Sequence, residues 1–283
     1  MLRRRFEWRL RDKVLQLGDR TRIAGVLNVT PDSFSDGGKY SDPDRAFARA
    51  IELEEEGADL VDIGAESTRP GAAPISEAEE LRRLVPVLKR LRNKLAVPIS
   101  VDTYKSGVAE KALELGADAI NDPSALTFDP ELARKAARCN AGLILNHMRG
   151  TPQTWAKLPP LPNLMRSIAA ELDASVHRAV RAGIDRRQIV IDPGLGFGKR
   201  KEQNAEILAR LGELARLELP LMAGASRKHF VAKGSPPETE SASIAAAVAA
   251  ILNGAHLIRV HDVKAMKAAA EVADEIARSG AGS

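Results

Sequence analysis

Two stretches of the chain, EGADLVDIGAE (56–66) and LGADAIND (115–122), share one order of features. In each, a helical pattern ends at a glycine, Ala-Asp follows, and a short aliphatic run then ends in a polar side chain. Glycine is common just after a helix end, and a short aliphatic run is typical of a buried strand. The two stretches therefore predict successive copies of one repeated β/α unit.

The same alternation of an aliphatic run with a helical pattern occurs eight times along the chain. Because the runs are aliphatic throughout rather than at every second position, we expect parallel strands covered on both faces. Eight such units close a (β/α)8 TIM barrel of the α/β class, and a doubly wound open sheet is the alternative. The predicted strands are Ile23–Val29, Leu60–Gly64, Ile99–Asp102, Ala119–Asn121, Leu143–Asn146, Ile189–Asp192, Leu221–Ala225 and Leu257–Val260.

No linker rich in proline, glycine or serine divides the chain, so we expect a single barrel domain over residues 1–283. Residues 1–20 predict an N-terminal hairpin over the N-terminal end of the barrel, and residues 278–283 a flexible tail. The proline-rich segment Thr151–Pro162 predicts a long loop after the fifth strand. The alanine-rich segment Ser241–Ala250 predicts a helix that lines either a dimer interface or the barrel wall.

The amino-acid composition limits the classes of function that this chain can have. The 283 residues include 42 Lys+Arg and 38 Asp+Glu, a net charge of +4, and only 4% aromatics, which argues against stacking on nucleic-acid bases. Cys139 is the single cysteine, which excludes an intramolecular disulfide and is typical of a reducing cytosol. The longest apolar stretch, Ile244 to Leu252, falls short of the roughly 20 residues that span a bilayer. We expect a soluble cytoplasmic protein that binds small molecules, without nucleic acid or membrane partners.

Polar side chains stand where each predicted strand ends. In a barrel the chemistry sits at the C-terminal ends of the strands. Because burying unpaired charges is costly, a scaffold without function would not collect them at one rim. The strand-end residues are Asn28, Glu66, Asp102, Asn121, His147, Asp192, the group Ser226-Arg227-Lys228, and Arg259 with His261.

One set of these residues is suited to an amino-heterocycle. The carboxylates of Asp102 and Asp192 accept N–H groups, Asn121 adds an amide, and Lys228 donates to oxygen or nitrogen. A pair of internal salt bridges is the alternative reading. The glycine-rich DPGLGFGK (192–199) departs from the nucleotide-binding patterns, and we expect it to approach a flat ligand with Phe197 as an apolar wall.

A second set is cationic or hydroxylic and favours a phosphate near the last strands: Arg69, Ser226, Arg259 and His261. A surface arginine with a solvated histidine is the alternative. Asn28 and Asp36 both come before the turn Gly37-Gly38 in the chain. Their side-chain oxygens are candidate ligands for a Mg²⁺ ion that bridges a diphosphate.

Taken together, seven segments resemble the dihydropteroate synthase family of pterin-binding barrels, the folate-pathway enzymes that sulfonamides target. They follow the family's order over about residues 22 to 263. The segments are LNVTPDSFSDGG (27–38), ESTRPGA (66–72), SVDT (100–103), IND (120–122), DPGLGFGK (192–199), SRK (226–228) and IRVHDV (258–263).

The resemblance implies a (β/α)8 barrel, usually a homodimer, that needs Mg²⁺. It implies a transferase that condenses 6-hydroxymethyl-7,8-dihydropterin diphosphate with p-aminobenzoate, giving 7,8-dihydropteroate and pyrophosphate. The glycine-flanked, polar composition of two loops, 31–41 and 68–76, predicts that they close over the site.

The matching motifs also imply roles for individual residues. The pterin would be held by Asp102, Asn121, Asp192 and Lys228. The diphosphate would be held by Asn28, Thr68, Arg259 and His261, with Asn28 and Asp36 at the metal. The p-aminobenzoate pocket would be formed by Phe34, Thr68, Arg69, Pro70, Ser226 and Lys228.

The chain departs from the family's usual residues at a few positions that carry no charge, among them Ala65, Pro123 and Asn146. A pterin-binding methyltransferase domain is the rival enzyme, but it needs no diphosphate clamp, and ESTRPGA, SRK and RVHD argue against it. A pterin-binding or dimerising barrel without activity is the third alternative.

Overall fold

The computed structural model describes residues 3–30, 43–232 and 234–280. A parallel eight-stranded sheet forms the centre, and its strands are β3 (Arg22–Asn28), β4 (Leu60–Gly64), β5 (Ile99–Asp102), β6 (Ala119–Asp122), β7 (Gly142–Asn146), β8 (Ile189–Asp192), β9 (Met222–Ala223) and β10 (Leu257–Val260). They pair in the order β8-β7-β6-β5-β4-β3-β10-β9. A parallel bridge between Ile191 and Leu221 joins the two edges, so the sheet closes into the expected (β/α)8 barrel.

Helices cover the outside of the barrel, and several begin at a side-chain cap. Ser76 caps α2 by accepting from the backbone N–H of Glu79, and Asp262 caps α8 in the same way at Ala265. The helices are α1 (Pro43–Glu55), α2 (Glu77–Leu91), α3 (Ser106–Glu114), α4 (Glu131–Arg138), α5 (Leu164–Arg181), α6 (Lys201–Ala209), α7 (Pro236–Leu252) and α8 (Val263–Ser279). Among the helices of the described ranges, none has both the length and the apolar character to cross a membrane.

The N-terminal hairpin is also confirmed. Strands β1 (Phe6–Leu10) and β2 (Lys13–Leu17) pair antiparallel, and the fully buried Trp8 donates from its indole N–H to the carbonyl of Gln188 at 2.9 Å. Trp8 and Leu10 pack on aliphatic residues at the N-terminal ends of the strands. A Cβ on Gly142 would lie 2.2 Å from Leu10, so the close approach of the hairpin requires glycine there.

Four strands differ from the sequence prediction at their ends: β3 by a single residue at each end, β6 and β7 by a single residue at one end, and β9 by more. The strand expected over Leu221–Ala225 is reduced to Met222–Ala223, because the chain turns out of the sheet at the rim residues that follow. The expected long loop Thr151–Pro162 contains a single 3-10 turn at Trp155–Lys157. Helix α8 continues to Ser279, and residues 281–283 of the expected tail lie outside the described residues. Since the hairpin seals the opposite end with apolar side chains, the polar C-terminal end of the barrel remains for a site.

Candidate active site

A cavity that is partly open to solvent lies at the C-terminal end of the barrel. All four residues predicted to hold a heterocycle line it, although they come from four different strand ends. Its lining residues are Asp102, Asn121, Pro123, Asn146, Asp192, Phe197, Met222, Gly224, Lys228 and Arg259. The sequence prediction missed the roles of Met222, Gly224 and the pair Pro123 and Asn146 as cavity walls.

The two predicted carboxylates are held differently. Asp192 ends β8, and its Oδ1 accepts from the backbone N–H of Gly194 at 2.6 Å. Burial raises the pKa of Asp192, while Lys228 acts in the opposite direction. Asp102 ends β5 and accepts from Nη2 of Arg259 at 2.8 Å. Burial raises the pKa of Asp102 to about 7, against the nearby charge of Arg259.

Lys228 faces the cavity from the segment after β9. Its Nζ donates to the carbonyl of Leu195 at 2.5 Å and lies 4.2 Å from the ring centroid of Phe197. Burial lowers the pKa of Lys228 to about 8, although the carboxylate of Asp192 opposes that shift. Lys228 bonds a carbonyl rather than a carboxylate, whereas Asp102 forms an internal salt bridge with Arg259. Among the contacts of the described residues, the alternative of internal salt bridges therefore holds for Asp102 but not for Lys228.

The glycine-rich loop 192–199 is fixed by backbone contacts. A Cβ on Gly194, where φ is +68°, would lie 1.8 Å from the carbonyl oxygen of His147. The Nζ of Lys199 donates to the carbonyls of His147 at 2.8 Å and Gly194 at 2.7 Å. Burial lowers the pKa of Lys199 well below its usual range. Phe197 lines the cavity, as expected of an apolar wall.

The predicted phosphate residues of the last strands lie beside this cavity. The Oγ of Ser226 is 2.9 Å from Nδ1 of His261, and Nε2 of His261 is 3.5 Å from the amide nitrogen of Asn28. Burial, reinforced by the charges of Arg227 and Arg259, lowers the pKa of His261 to about 3. The imidazole is therefore neutral at pH 7 and acts as a hydrogen-bonding group.

Arg259 is not a solvated surface arginine. Its Nε donates to Oδ2 of Asp62 at 2.5 Å, and its Nη2 donates to Asp102, so the guanidinium enters the barrel. Asp62, which is 1% exposed, was missed at the sequence level. The available signal was an acidic residue in the aliphatic strand LVDIG, two positions before the strand end at Gly64 and so on the same face of the strand.

The segment after β4 carries three further predicted residues. Arg69 and Pro70 are exposed, and Thr68 is half-buried. The segment rests on the loop after β7, because Gly71 donates from its N–H to the carbonyl of Pro152 at 2.9 Å. The charge of Arg69 contributes to the lowered pKa of His261. Phe34, Asp36 and the loop 31–41 lie outside the described residues.

Two strand-end residues do not reach the cavity. Glu66 pairs with the ammonium group of Lys105 and accepts from the hydroxyl of Tyr104 at 2.9 Å. His147 is buried and its Nε2 lies 3.0 Å from Glu171. Glu66 thus contacts the segment after β5, His147 contacts α5, and neither lines the cavity.

The residues at the rim fit the implied Mg²⁺. The amide of Asn28 offers the hard oxygen ligand that Mg²⁺ prefers, and Mg²⁺ is commonly held by one or two protein oxygens together with phosphates. Within the described ranges, no group of three or more His, Cys, Asp or Glu side chains is placed to hold a metal ion. Asn28 lies beside His261, and its amide oxygen is one such oxygen ligand.

Comparisons with known proteins agree with this geometry. The family model described as pterin binding enzyme matches residues 24–261. The dihydropteroate synthase of Synechocystis sp. is 44% identical over 265 residues, which is 92% of this chain and 92% of that protein. The structure of Xanthomonas albilineans dihydropteroate synthase with 4-aminobenzoic acid has a TM-score of 0.89 and 40% identity, covering 96% of this chain and 98% of that one. The structure of a Yersinia pestis dihydropteroate synthase with a sulfonamide drug complex has a TM-score of 0.89 and 41% identity, covering 97% of this chain and 100% of that one.

Proposed function

This chain belongs to the pterin binding enzyme family, and we infer that it catalyses the dihydropteroate synthase reaction. The reaction condenses 6-hydroxymethyl-7,8-dihydropterin diphosphate with p-aminobenzoate and releases pyrophosphate, which makes the enzyme a transferase of folate biosynthesis. One observation carries the inference: Asp102, Asn121, Asp192 and Lys228 line a single cavity beside a cluster suited to phosphate.

The cavity is suited to the edge of a pterin ring. Asp192 and the amide oxygen of Asn121 accept N–H groups, and Lys228 donates to a ring oxygen or nitrogen. Hydrogen bonds with a charged partner are stronger than neutral ones, so the carboxylate and ammonium supply affinity as well as orientation. Phe197 provides an apolar wall for the flat ring.

The diphosphate of the substrate binds at the neighbouring cluster suited to phosphate. Arg259, His261, Asn28 and Thr68 bind its oxygens, with the neutral imidazole of His261 as a hydrogen-bonding group. Asn28 and Asp36 would hold Mg²⁺, which neutralises developing charge on the leaving oxygens when bound.

Bond cleavage at the pterin methylene leaves the electron pair on the diphosphate oxygen and positive charge on the pterin. The nearby carboxylates Asp102 and Asp192 favour that charge. The arylamine nitrogen forms the new C–N bond and loses one proton to pyrophosphate or solvent, so no strong base is needed. Phe34, Thr68, Arg69, Pro70 and Ser226, with Lys228, would form the p-aminobenzoate pocket, and closure of the loops 31–41 and 68–76 would exclude water.

Release of pyrophosphate that depends on p-aminobenzoate tests the proposal. The purified protein is incubated with the pterin diphosphate and Mg²⁺, with and without the amine, and both pyrophosphate and dihydropteroate are measured. We expect both products only when the amine is present. Release without the amine would indicate a hydrolase, and no release would leave a pterin-binding barrel or a methyltransferase domain. Asp192→Ala is expected to lose pterin affinity and turnover. Lys94→Ala, an exposed change in the turn that leads into β5 at the opposite end of the barrel, should retain both.

The magnesium requirement, the homodimer and the cytoplasmic location belong to the same proposal. Exposed apolar side chains on α7 and α8, including Leu252, Val272 and Ile276, support a self-association surface. The single Cys139 supports a reducing compartment. Chelation followed by Mg²⁺ titration tests the metal, sedimentation at micromolar concentration tests the dimer, and cell fractionation tests the location.

A further inference from the structure

Asp62 lies below the cavity floor and contacts residues from three other strands. It is 1% exposed and accepts from Oγ of Ser100 at 2.5 Å on one carboxylate oxygen. Its other oxygen accepts from Nδ2 of Asn121 at 3.2 Å and from Nε of Arg259 at 2.5 Å. A buried carboxylate with three donors therefore joins a cavity residue, Asn121, to a residue of the phosphate cluster, Arg259.

The contact with Asp62 decides which end of the Asn121 amide faces the cavity. An ionised carboxylate only accepts hydrogen bonds, so Asn121 must turn its NH₂ group toward Asp62. The amide oxygen then points the other way. That oxygen is buried and has no hydrogen-bond partner within the described ranges, in a residue that lines the cavity and is 4% exposed. A buried acceptor without a partner is costly and calls for a donor from a ligand.

The same carboxylate orients the guanidinium of Arg259. Asp62 holds Nε and Asp102 holds Nη2, so two carboxylates fix the plane of the group. The guanidinium has five N–H donors, and no described residue accepts from Nη1, which can therefore donate to a ligand oxygen. Without Asp62, the guanidinium of Arg259 would keep only its hydrogen bond to Asp102 among these two contacts.

We propose that Asp62 is a positioning residue that makes Asn121 present an acceptor to the pterin and aims Arg259 at the diphosphate. The proposal rests on the proposed function, because it assigns both ligands to the two ends of that site. One buried carboxylate that contacts neither ligand, that of Asp62, would thus link the pterin subsite to the diphosphate subsite. The chemistry that Asn121 recognises is an N–H donor on the ring edge.

Asp62→Asn tests the proposal, because it preserves the side-chain volume while removing the charge. The new amide also supplies a donor, so the side-chain amide of Asn121 can reverse its orientation. Binding of 6-hydroxymethylpterin and of pyrophosphate with Mg²⁺ is measured by calorimetry, well below the melting temperature. We expect each ligand to bind about tenfold or more weakly, in line with loss of hydrogen bonds to a charged group. The matched control is Asp59→Asn at the opposite end of β4, where the carboxylate accepts from Arg20 at 2.9 Å and from the N–H of Ile23 at 3.0 Å.

The control separates positioning from stability. Asp59→Asn is expected to lower the melting temperature but to change neither affinity by more than twofold. If Asp62→Asn is folded and binds both ligands within twofold of the unsubstituted protein, the inference is wrong. If Asp62→Asn does not fold, Ser100→Ala, which removes one donor to Asp62, decides: we expect threefold or more weaker pterin binding, and unchanged binding overturns the inference. Unsubstituted protein without amine-dependent pyrophosphate release would instead overturn the proposed function.

Discussion

The α-carbon of Gly194 faces the carbonyl oxygen of His147 so closely that a Cβ there would lie 1.8 Å from that oxygen. Gly194 also has φ of +68°, a conformation that glycine adopts without strain. The contact joins the loop after β8 to the loop after β7. The next residue, Leu195, provides the carbonyl that accepts from Lys228, so the contact also determines where that ammonium group lies.

Gly194→Ala is therefore expected to displace the loop and weaken binding of 6-hydroxymethylpterin at least tenfold, with a lower melting temperature. Both values can be measured by calorimetry. The matched control is Gly254→Ala, where φ is +101° and a Cβ would meet nothing within 4 Å. This control adds backbone strain of about 1–2 kcal/mol but should leave pterin affinity unchanged. Equal losses of affinity in the two variants would contradict the explanation.

Trp8 should govern stability rather than binding. Trp8→Ala removes a fully buried ring and its hydrogen bond to Gln188, and we expect a loss of about 3–5 kcal/mol in the free energy of unfolding. Guanidinium chloride titration measures this loss. Val14→Ala, on the neighbouring strand of the hairpin and 49% exposed, should cost far less. Pterin affinity at low temperature should be unaffected in both, and a weakened affinity in Trp8→Ala would show that the hairpin shapes the site.

Pterin binding should weaken above about pH 8. Burial lowers the pKa of Lys228 to about 8, so its ammonium form, the stronger donor, is lost as the pH rises through that value. Affinity for 6-hydroxymethylpterin between pH 7 and 9.5 measures the effect. Lys228→Met should bind more weakly at pH 7 and show a shallower pH dependence. Because ionisation of the ligand affects both proteins equally, the difference between the two profiles reports on Lys228. Identical profiles for the two proteins would exclude this role.

Acid should destabilise the fold partly through His256. Its Nδ1 accepts from the N–H of Leu221 at 3.1 Å, and burial lowers its pKa to about 4 from 6.5. Between these values the unfolded chain binds more protons than the folded one, so stability falls as the pH falls from about 6.5 toward 4. His256→Asn should flatten this fall in the free energy of unfolding by up to about 1.4 kcal/mol per pH unit. The exposed His177→Asn serves as the control and should leave the slope unchanged.

Much of the site follows from strand order alone. In a closed parallel barrel the C-terminal ends of all strands meet at one rim, so residues such as Asp102, Asn121 and Asp192 come together however the helices pack. The sequence predicted these three residues and Lys228 as one group, and they line one cavity. The same reasoning failed for Glu66, which ends a strand segment but pairs with Lys105. Strand order places a backbone position at the rim, whereas the direction of a long side chain depends on its neighbours.

The aliphatic runs and their polar ends, read from the sequence, determined the parallel β/α units and the kinds of side chain at the rim, because these depend on hydrophobic periodicity and strand direction. The tertiary structure decided that the sheet closes into a barrel instead of staying open, since a bridge joins Ile191 to Leu221. The tertiary structure alone decided the pairing of Asp62 with Arg259, which are 197 positions apart. It also decided which end of the Asn121 amide faces the cavity. Hydrogen bonds of this kind depend on distances within a few tenths of an ångström, and no local sequence pattern encodes them.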